Sequence, residues 1–261
     1  MHCCAERGIF RRPAAMPPTW LYIALTLVVD AVVGLAGGML SDRWLRRHQA
    51  GLVGFAAGAL LAAAFVDVLP DTIEALGRSA LRWTFAGFIG LAIVEWLAGH
   101  HHHTEGPKAA PALPTALLVS DALHNLGDGA AVAAAFLVSP RTGIAVAVAV
   151  IAHEVPQEVG DFAVLRAAGM PRSRALLALA AVQLAAFVGA GGVLLVSSGF
   201  DHVIDVVLAV AGGTFLYIGA TDLLPELHSG RTKAERRERM FGFLAGVIVV
   251  LLASALEVGR R

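Results

Sequence analysis

HEVPQEVGD, residues 153–161, is a charged stretch inside an apolar run long enough to cross a membrane. DALHNLGDG, residues 121–129, interrupts the preceding apolar run in the same way. Ionisable side chains are costly in hydrocarbon, and inside membrane proteins they mark ion paths, proton relays or bound metals. Two such stretches in neighbouring runs therefore predict a membrane protein with a polar site in its interior.

The composition of the chain supports a membrane protein independently of these stretches. Its 261 residues are 57% hydrophobic and 15% charged, with a mean hydropathy of +0.71, whereas soluble domains carry about 25% charged residues. A helix crosses the hydrocarbon core with about 20 apolar residues. The sequence contains eight such runs, 19–39, 51–70, 83–99, 114–138, 144–166, 175–196, 203–224 and 240–257. The predicted fold class is all-α, a polytopic membrane protein with eight transmembrane helices.

The same runs predict the domain organisation. Residues 1–18 lack a helical period and are predicted to form a disordered tail, while residues 19–261 form one transmembrane domain. The first run is expected to be retained, because no small-residue cleavage site follows it. Four consecutive histidines, His100 to His103, lie in the loop of about residues 100–113. A histidine tract binds metal readily, so this loop is a candidate for receiving or sensing an ion.

Basic residues predict the orientation of the chain. The loops after runs 1, 3, 5 and 7 hold most of the Lys and Arg residues near the membrane, namely Arg43, Arg46, Arg47, Lys108, Arg166, Arg172, Arg174, Arg231, Lys233, Arg236, Arg237 and Arg239. The loops after runs 2, 4 and 6 hold only Arg78, Arg82 and Arg141. Cytoplasmic loops carry the excess of basic residues, so we expect both termini outside and the His-rich loop in the cytoplasm. The expected location is the plasma (inner) membrane.

The two polar stretches together offer side chains of the kinds that bind metals. Residues four apart share a helix face, so His124 lies beside Asp128 on one helix and His153 beside Gln157 on the next. Imidazoles combined with carboxylate and amide oxygens are the ligands expected for zinc or a neighbouring divalent metal. The candidate metal ligands are His124, Asn125, Asp128, His153, Glu154, Gln157 and Glu158.

An internal repeat predicts a path through the molecule. The second run ends in AFVDVLPD, residues 64–71, and the seventh ends in GATDLLPE, residues 219–226. These runs cross the membrane in opposite directions, which is typical of an inverted-topology repeat with its substrate site near the midplane. The acidic residues of the repeat then mark the two mouths of the path. The candidate path residues are Asp67, Asp71, Asp121, Asp161, Asp222, Glu226 and His228.

HNLGDG and HEVPQE, together with LLAAAFVDVLPD, the histidine tract, GDFAVLRAAG and AGGTFLYIGATDLLPELH, resemble the ZIP family of divalent-metal transporters. The resemblance covers the chain from about residue 50 onward. It implies eight helices with both termini outside and import of metal into the cytoplasm. It also implies a binuclear site on the fourth and fifth helices, in which Asp128 and Gln157 bridge two metals. His124 and His153 would complete one site, and Asn125 and Glu154 the other.

Two positions depart from the pattern of this family branch. Gln157 stands where His is common, and Asp67 stands where many relatives have His. A neutral amide binds metal more weakly than imidazole, and an added carboxylate favours harder cations. The resemblance implies Zn2+ as the principal substrate, and these departures add Fe2+, Mn2+ and Cd2+ as further candidates.

Several alternative readings remain at the level of sequence. An intramembrane metal-dependent hydrolase would place a second His four residues after His153, where this chain has Gln157. A haem protein would use paired histidines without the surrounding acids, and a non-transporting metal sensor stays open. We expect a transporter rather than an enzyme, with metal ions and lipid as partners and no nucleic acid. A homodimer is left open. Glu95 is expected to reach the interface, and Gln183 to hydrogen-bond a neighbouring helix.

Overall fold

A computed structural model describes residues 18–39, 42–98, 113–197, 199, 202–228 and 232–255, and within them all regular structure is helical. Eight helices follow in chain order: α1 Thr19–Met39, α2 Asp42–Ala62 continued by Ala63–Val68 and Leu69–Leu76, α3 Ser79–Ala98, α4 Leu113–Val138, α5 Pro140–Ala167, α6 Arg172–Val196, α7 Val203–Tyr217 continued by Ile218–Leu223 and Leu224–Glu226, and α8 Lys233–Ala255. The predicted all-α fold is confirmed. The predicted tail and the His-rich loop fall almost entirely outside the described residues.

Six of the eight helices begin before the apolar runs that predict them. α5 shows why, because Pro140 stands in its first turn and the Ser139 side chain caps it by accepting a hydrogen bond from the Thr142 amide at 3.1 Å. Proline is favoured in a first helical turn, and serine at the cap satisfies an amide that has no partner in the helix. Cap signals of this kind lie outside the apolar run, so hydropathy alone predicts a helix start that is too late.

The outer surface of the molecule suits lipid. Five helical stretches are apolar and long enough to span a membrane, judged by length and composition: Thr19–Ala36, His48–Leu76, Arg172–Val196, Val203–Glu226 and Lys233–Ala255. Large apolar side chains such as Leu195, Leu177 and Trp96 are exposed on the outside of the helices. Such a surface is too apolar for water and indicates contact with lipid.

Glycines hold the helices close together in pairs. A Cβ atom at Gly58 of α2 would collide with the backbone of α8, and one at Gly213 of α7 would collide with the backbone of α3. The same is true of Gly129 and Gly189, which face each other across α4 and α6. Small residues that let backbones touch are the usual basis of helix packing in membranes. These glycines therefore allow the paired helices to pack closely.

The helix pairs support an inverted repeat. α2 packs along α8 while α7 packs along α3, and α4 packs along α6 while α5 packs along α1. Exchanging α1 with α6, α2 with α7, α3 with α8 and α4 with α5 converts each of these pairs into another of them. The repeat thus extends beyond the two acidic motifs that reveal it in the sequence.

Both acidic motifs adopt the same unusual backbone. The segments Ala63–Val68 and Ile218–Leu223 are π-helical, and each contains the motif aspartate just before a Leu-Pro pair. Proline lacks an amide hydrogen and its ring crowds the carbonyl four residues earlier, which widens the helix. π-Helical turns are frequent at functional sites. The equal distortion of α2 and α7 is a second sign of the repeat.

Candidate metal centre

Three side chains from α4 and α5 meet at the middle of the helix bundle. The Nε2 atoms of His124 and His153 lie 2.9 Å apart. Asp128 Oδ2 lies 3.4 Å from Nε2 of His124 and 3.1 Å from Nε2 of His153. With Glu154, these residues can each offer one ligand atom such that all four atoms lie within 4.8 Å of one another. We call these four residues the histidine centre.

The hydrogen bonding of His153 fixes which ring nitrogen faces the centre. Its Nδ1 atom lies 3.1 Å from the carbonyl oxygen of Ala149, which can only accept, so Nδ1 carries the hydrogen. A neutral His153 then presents the Nε2 lone pair to Asp128 Oδ2, an acceptor that has no hydrogen-bond donor. Two acceptors at this distance repel each other, and a metal ion bound between them would relieve the repulsion.

The spacing of the three atoms fits a divalent metal. Nitrogen and oxygen ligands lie about 2.0–2.2 Å from zinc, so two ligands of a tetrahedral zinc lie about 3.3 Å apart. The observed separations of 2.9, 3.1 and 3.4 Å are close to this value. His153 and Asp128 are both nearly fully buried, which protects such a centre from competing water.

A proline positions this centre within α5. Pro156 lies inside the helix and has no amide hydrogen for the carbonyl of Ala152, one residue before His153. Freed backbone groups at membrane depth persist where they line a polar cavity. Pro156 does line the large cavity described below. The backbone hydrogen bond that α5 lacks therefore lies beside the histidine centre and the cavity.

The remaining predicted ligands have other partners in this structure. Asn125 and Gln157 both donate from their amide nitrogens to Oδ1 of Asp121, at 3.1 and 3.0 Å. Glu158 accepts at 2.6 Å from the Gln183 amide, which also donates to Glu154 at 2.9 Å. The expectation that Gln183 bonds a neighbouring helix is confirmed. The bridging role of Gln157 and the ligand roles of Asn125 and Glu158 stay predictions.

A cavity of ≈ 760 Å³ joins the histidine centre to one end of the bundle. Asp121 and Asp161 line it below the centre, and Glu95, Asp222, Glu226 and Arg239 line its far end. We call these last four residues the Asp222 mouth. His228 is exposed at the end of α7 and is absent from the cavity lining. Four of the predicted path residues, Asp121, Asp161, Asp222 and Glu226, therefore line the same cavity as the histidine centre.

Glu95 has a larger part than the sequence suggests. The expectation that it only reaches the interface is wrong, because it lines the cavity and accepts a hydrogen bond from the Tyr217 hydroxyl at 2.9 Å. This bond ties α3 to α7 just before the π-helical segment. Glu95 is one charge in an otherwise apolar run, and that feature alone could have marked it as a site residue.

The opposite end of the bundle is closed. Asp67 is buried, and its two oxygens accept from Arg141 Nε at 2.9 Å and from the Ser254 hydroxyl at 2.6 Å. The Thr142 hydroxyl donates to Asp71. We call these five residues the Asp67 mouth. No residue of the Asp67 mouth lines the cavity, so this cavity joins the histidine centre to the Asp222 mouth and not to the Asp67 mouth.

Two features of the site escaped sequence reasoning. Arg141 reads as an ordinary loop residue, yet it pairs with a buried carboxylate from a different helix. Asp30 of α1 is 1% exposed and lies near the histidine centre, where it interacts electrostatically with Asp128 and His153. The signal for Asp30 was available, since a lone acid inside an apolar run is a site candidate by default. Nothing local in the sequence reveals the partner of Arg141.

The fold and the centre together define a polytopic membrane protein with a buried site for a divalent metal. Comparison with protein families matches residues 97–254 to the family described as ZIP Zinc transporter. Zinc transporter ZIP13 of Pongo abelii is 30% identical over 264 residues, which cover 90% of this chain and 79% of that protein. The chain belongs to the ZIP family, whose members are transporters rather than enzymes.

Other relatives match a shorter part of this chain. Zinc transporter ZIP4 of Mus musculus is 43% identical over 150 residues, 56% of this chain and 22% of that protein. Metal cation symporter ZIP8 of Rattus norvegicus is 32% identical over 169 residues, 59% of this chain and 36% of that protein. This chain thus spans about a fifth of the length of the mouse relative. The likeness to these longer proteins concerns one part of each.

Proposed function

We propose that this chain carries divalent metal ions, Zn2+ first among them, across the plasma (inner) membrane into the cytoplasm. The observation that carries the proposal is the histidine centre at the closed end of a cavity that opens to one face of the bundle. Family membership supports it, because ZIP13 and ZIP4 are named as zinc transporters. A non-transporting sensor would need the centre, but not a second acidic mouth on the other side.

Zn2+ is the substrate that suits the donor set best. Two imidazoles with carboxylates form the mixed nitrogen and oxygen environment that zinc accepts. The proposed ligands in the described geometry are His124, Asp128, His153 and Glu154. We further propose that Asn125, Gln157 and Glu158 join them when metal enters, after Asn125 and Gln157 leave Asp121. Fe2+, Mn2+ and Cd2+ are proposed as weaker substrates.

The metal would cross by alternating exposure of the centre. It enters past Asp67 and Asp71, where carboxylates replace part of its hydration shell, and binds at the histidine centre. It then leaves through the cavity past Asp121 and Asp161 toward the Asp222 mouth. A bundle that rocks about a fixed site opens one mouth while it closes the other. In this proposal, the described structure corresponds to the state that is open at the Asp222 mouth.

The direction of transport rests on the orientation of the chain. α1 begins and α8 ends at the face of the Asp67 mouth, which supports the proposal that both termini lie on that face. The excess of basic residues lies on the opposite face, which the positive-inside rule makes cytoplasmic. We therefore propose that the Asp222 mouth faces the cytoplasm, together with the His-rich loop. A homodimer stays a prediction that the mass of the protein in detergent would test.

The test is Zn2+ uptake by liposomes that contain the purified protein. Removing a partner of a metal ligand typically costs 10–100-fold in affinity or activity, so removing a ligand should cost on the order of 100-fold. His153→Ala and Asp128→Asn should both show this loss. His202→Asn is the matched control, because His202 is exposed and its positive φ is one that Asn tolerates. Uptake by Asp128→Asn at the rate of the control would contradict the proposed centre.

Gln157 offers a test of metal preference. Imidazole binds zinc more strongly than a neutral amide does, so Gln157→His should tighten zinc binding and raise the preference for zinc over Mn2+ by about tenfold. Competition between the two metals during uptake measures this preference. Asn125→His is a poor control because Asn125 is fully buried, so Gln49→His at the cavity wall serves instead. An unchanged preference in Gln157→His would show that Gln157 does not bind the metal.

A further inference from the structure

Asp121 of α4 is a buried acid that binds two of the predicted metal ligands without belonging to the histidine centre. It is 4% exposed, and its Oδ1 atom accepts hydrogen bonds from Asn125 Nδ2 at 3.1 Å and from Gln157 Nε2 at 3.0 Å. Its Oδ2 atom has no donor. One carboxylate oxygen thus joins α4 to α5 at the wall of the cavity.

The two amides depend on this carboxylate to different degrees. Nδ2 of Asn125 also donates to the backbone carbonyl oxygen of Asp121, at 3.2 Å, so Asn125 keeps a partner on its own helix when the carboxylate is absent. The bond from Gln157 crosses from α5 to α4 and joins residues 36 positions apart in the chain. Gln157 is therefore the side chain whose position the Asp121 carboxylate controls.

The bond to Asp121 fixes the metal-binding group of Gln157. Gln157 lies one helical turn after His153, on the same face of α5. Asp121 lies three residues before His124, about 4.5 Å along the axis of α4, and it lines the cavity. The nitrogen of a side-chain amide is a donor only, so the amide binds a metal through its oxygen. In the described structure Asp121 therefore determines where the Gln157 oxygen can lie.

The inverted repeat places a different residue on the opposite side of the centre. His124 of α4 corresponds to His153 of α5 in the two motifs, so Asp121 corresponds to Val150, each three residues before its histidine. Val150 is fully buried in the hydrophobic core, and its side chain cannot accept a hydrogen bond. The carboxylate anchor therefore lies on the side of the cavity, which leads to the Asp222 mouth. An anchor on this side alone can affect the departure of the metal toward that mouth.

We propose that Asp121 is a positioning residue for metal release, which draws the Gln157 amide away from the zinc in the state that is open to the cavity. The inference rests on the proposed function, because it takes Gln157 as a ligand of the metal-loaded centre. When the amide binds Asp121, the zinc loses one oxygen ligand. A hydrogen bond to a carboxylate is stronger than one between neutral groups, so it offsets part of the lost metal–ligand bond. The centre therefore releases zinc into the cavity more readily.

The test compares neutral replacements of Asp121, so that the loss of charge is the same in each. Asp121→Asn keeps an oxygen that can accept from Gln157, whereas Asp121→Ala removes the acceptor. Asp121→Val, which copies the residue on the opposite side of the centre, is a second variant without an acceptor. Each replacement is also combined with Gln157→Leu, which removes the amide.

Zn2+ binding is measured by calorimetry on the full chain in lipid nanodiscs, and Zn2+ uptake is measured in liposomes at several concentrations. Asp205→Ala is the matched control, because Asp205 lies at the start of α7 beside the exposed His202 and is absent from the cavity lining. Thermal unfolding checks that each variant is folded.

The expected result is tighter binding with slower release. Asp121→Ala and Asp121→Val should bind Zn2+ about 2–10-fold more tightly than Asp121→Asn, the range expected from one hydrogen bond. Their uptake should show a lower KM together with a lower maximal rate, because zinc enters the centre but leaves it slowly. The difference should disappear in the Gln157→Leu background, as expected for two residues that act through each other.

Equal Zn2+ affinity of Asp121→Ala and Asp121→Asn would overturn the proposal, and so would a difference that persists in the Gln157→Leu background. Weaker binding by Asp121→Ala would overturn it as well, because Asp121 would then hold Gln157 in the binding position. In each case the wild type still takes up Zn2+ and His153→Ala still does not. These outcomes are therefore distinguishable from failure of the proposed function.

Discussion

The two mouths of this molecule share a sequence motif and a backbone, yet one is closed and the other is open. At the Asp67 mouth the π-helical aspartate is buried and bound by Arg141 and Ser254. At the Asp222 mouth the equivalent aspartate is half-buried and lines a cavity that reaches the histidine centre. The difference lies in the neighbours that each aspartate meets and not in the motif.

This difference locates the elements that open and close. Arg141 and Thr142 stand in the first turn of α5, the helix that carries His153 and Glu154. Their bonds to Asp67 and Asp71 therefore tie the ligand-bearing helix directly to α2. At the other mouth Glu226 instead pairs with Arg239 of α8, at 2.7 Å. Movement of α5 relative to α2 would open the Asp67 mouth.

A single reporter thiol can compare the two mouths. Gly127 lines the cavity next to Asp128, and a Cβ atom added there meets nothing within 4 Å. Gly127→Cys therefore places a thiol beside the histidine centre without disturbing it. Cys3 and Cys4, the two cysteines of the chain, are replaced by Ser in this background. A membrane-impermeant reagent applied from one face then measures access through the mouth on that face.

The largest effect is expected from Arg141→Gln. This substitution leaves the Asp67 carboxylate buried without its cation. Loss of one partner costs about 3–5 kcal/mol in a fully buried ion pair. We expect about 1–2 kcal/mol here, because the Arg141 side chain is 36% exposed and water screens the pair. Such a change shifts a two-state population roughly 5–30-fold. Labelling of the reporter from the Asp67 face should rise by this factor. Arg82→Gln, an exposed arginine on the same face, should leave the rate unchanged.

A smaller effect should separate the two motif aspartates. Asp67→Asn also breaks the pair, but it leaves an arginine that can reach water, so the rise in labelling from the Asp67 face should be about threefold or less. Asp222→Asn should not raise labelling from that face at all. It should instead slow zinc uptake, because the Asp222 mouth loses a carboxylate on the exit path. Equal labelling of the two variants would contradict the assignment of the closed mouth.

The smallest effect is expected from the His-rich loop. Replacement of His100 to His103 with Ser should leave the zinc uptake rate in liposomes within about twofold of the wild type. A loop outside the hydrocarbon can collect ions, but it cannot replace a buried carboxylate at the membrane midplane. A collapse of uptake would show that the exit path runs through the loop. Replacement of Ser197, at the opposite face, with Ala is a suitable control.

Local pattern and tertiary contact explain which features the sequence predicts. Apolar runs and the position of His153 follow from helix period and hydropathy, so the eight helices and the face that carries the centre are predictable. The pair between Arg141 and Asp67 joins residues 74 positions apart, and no local pattern encodes it. Asp30 lies between these cases, because its presence in an apolar run is visible while its neighbours come from α5 and α6. The π-helical turns follow from the prolines only once the helices are known.

Access to the reporter at Gly127→Cys, with no change at either mouth, shows from which face the histidine centre can be reached. The reagent would be applied to oriented vesicles from the face of the chain ends or from the opposite face, with and without Zn2+. A metal centre open only to the Asp222 mouth predicts fast labelling from the face of that mouth, slow labelling from the face of the Asp67 mouth, and protection by Zn2+ bound at His124 and His153. Equal labelling from both faces, or labelling that Zn2+ does not slow, would contradict a metal centre open to one side.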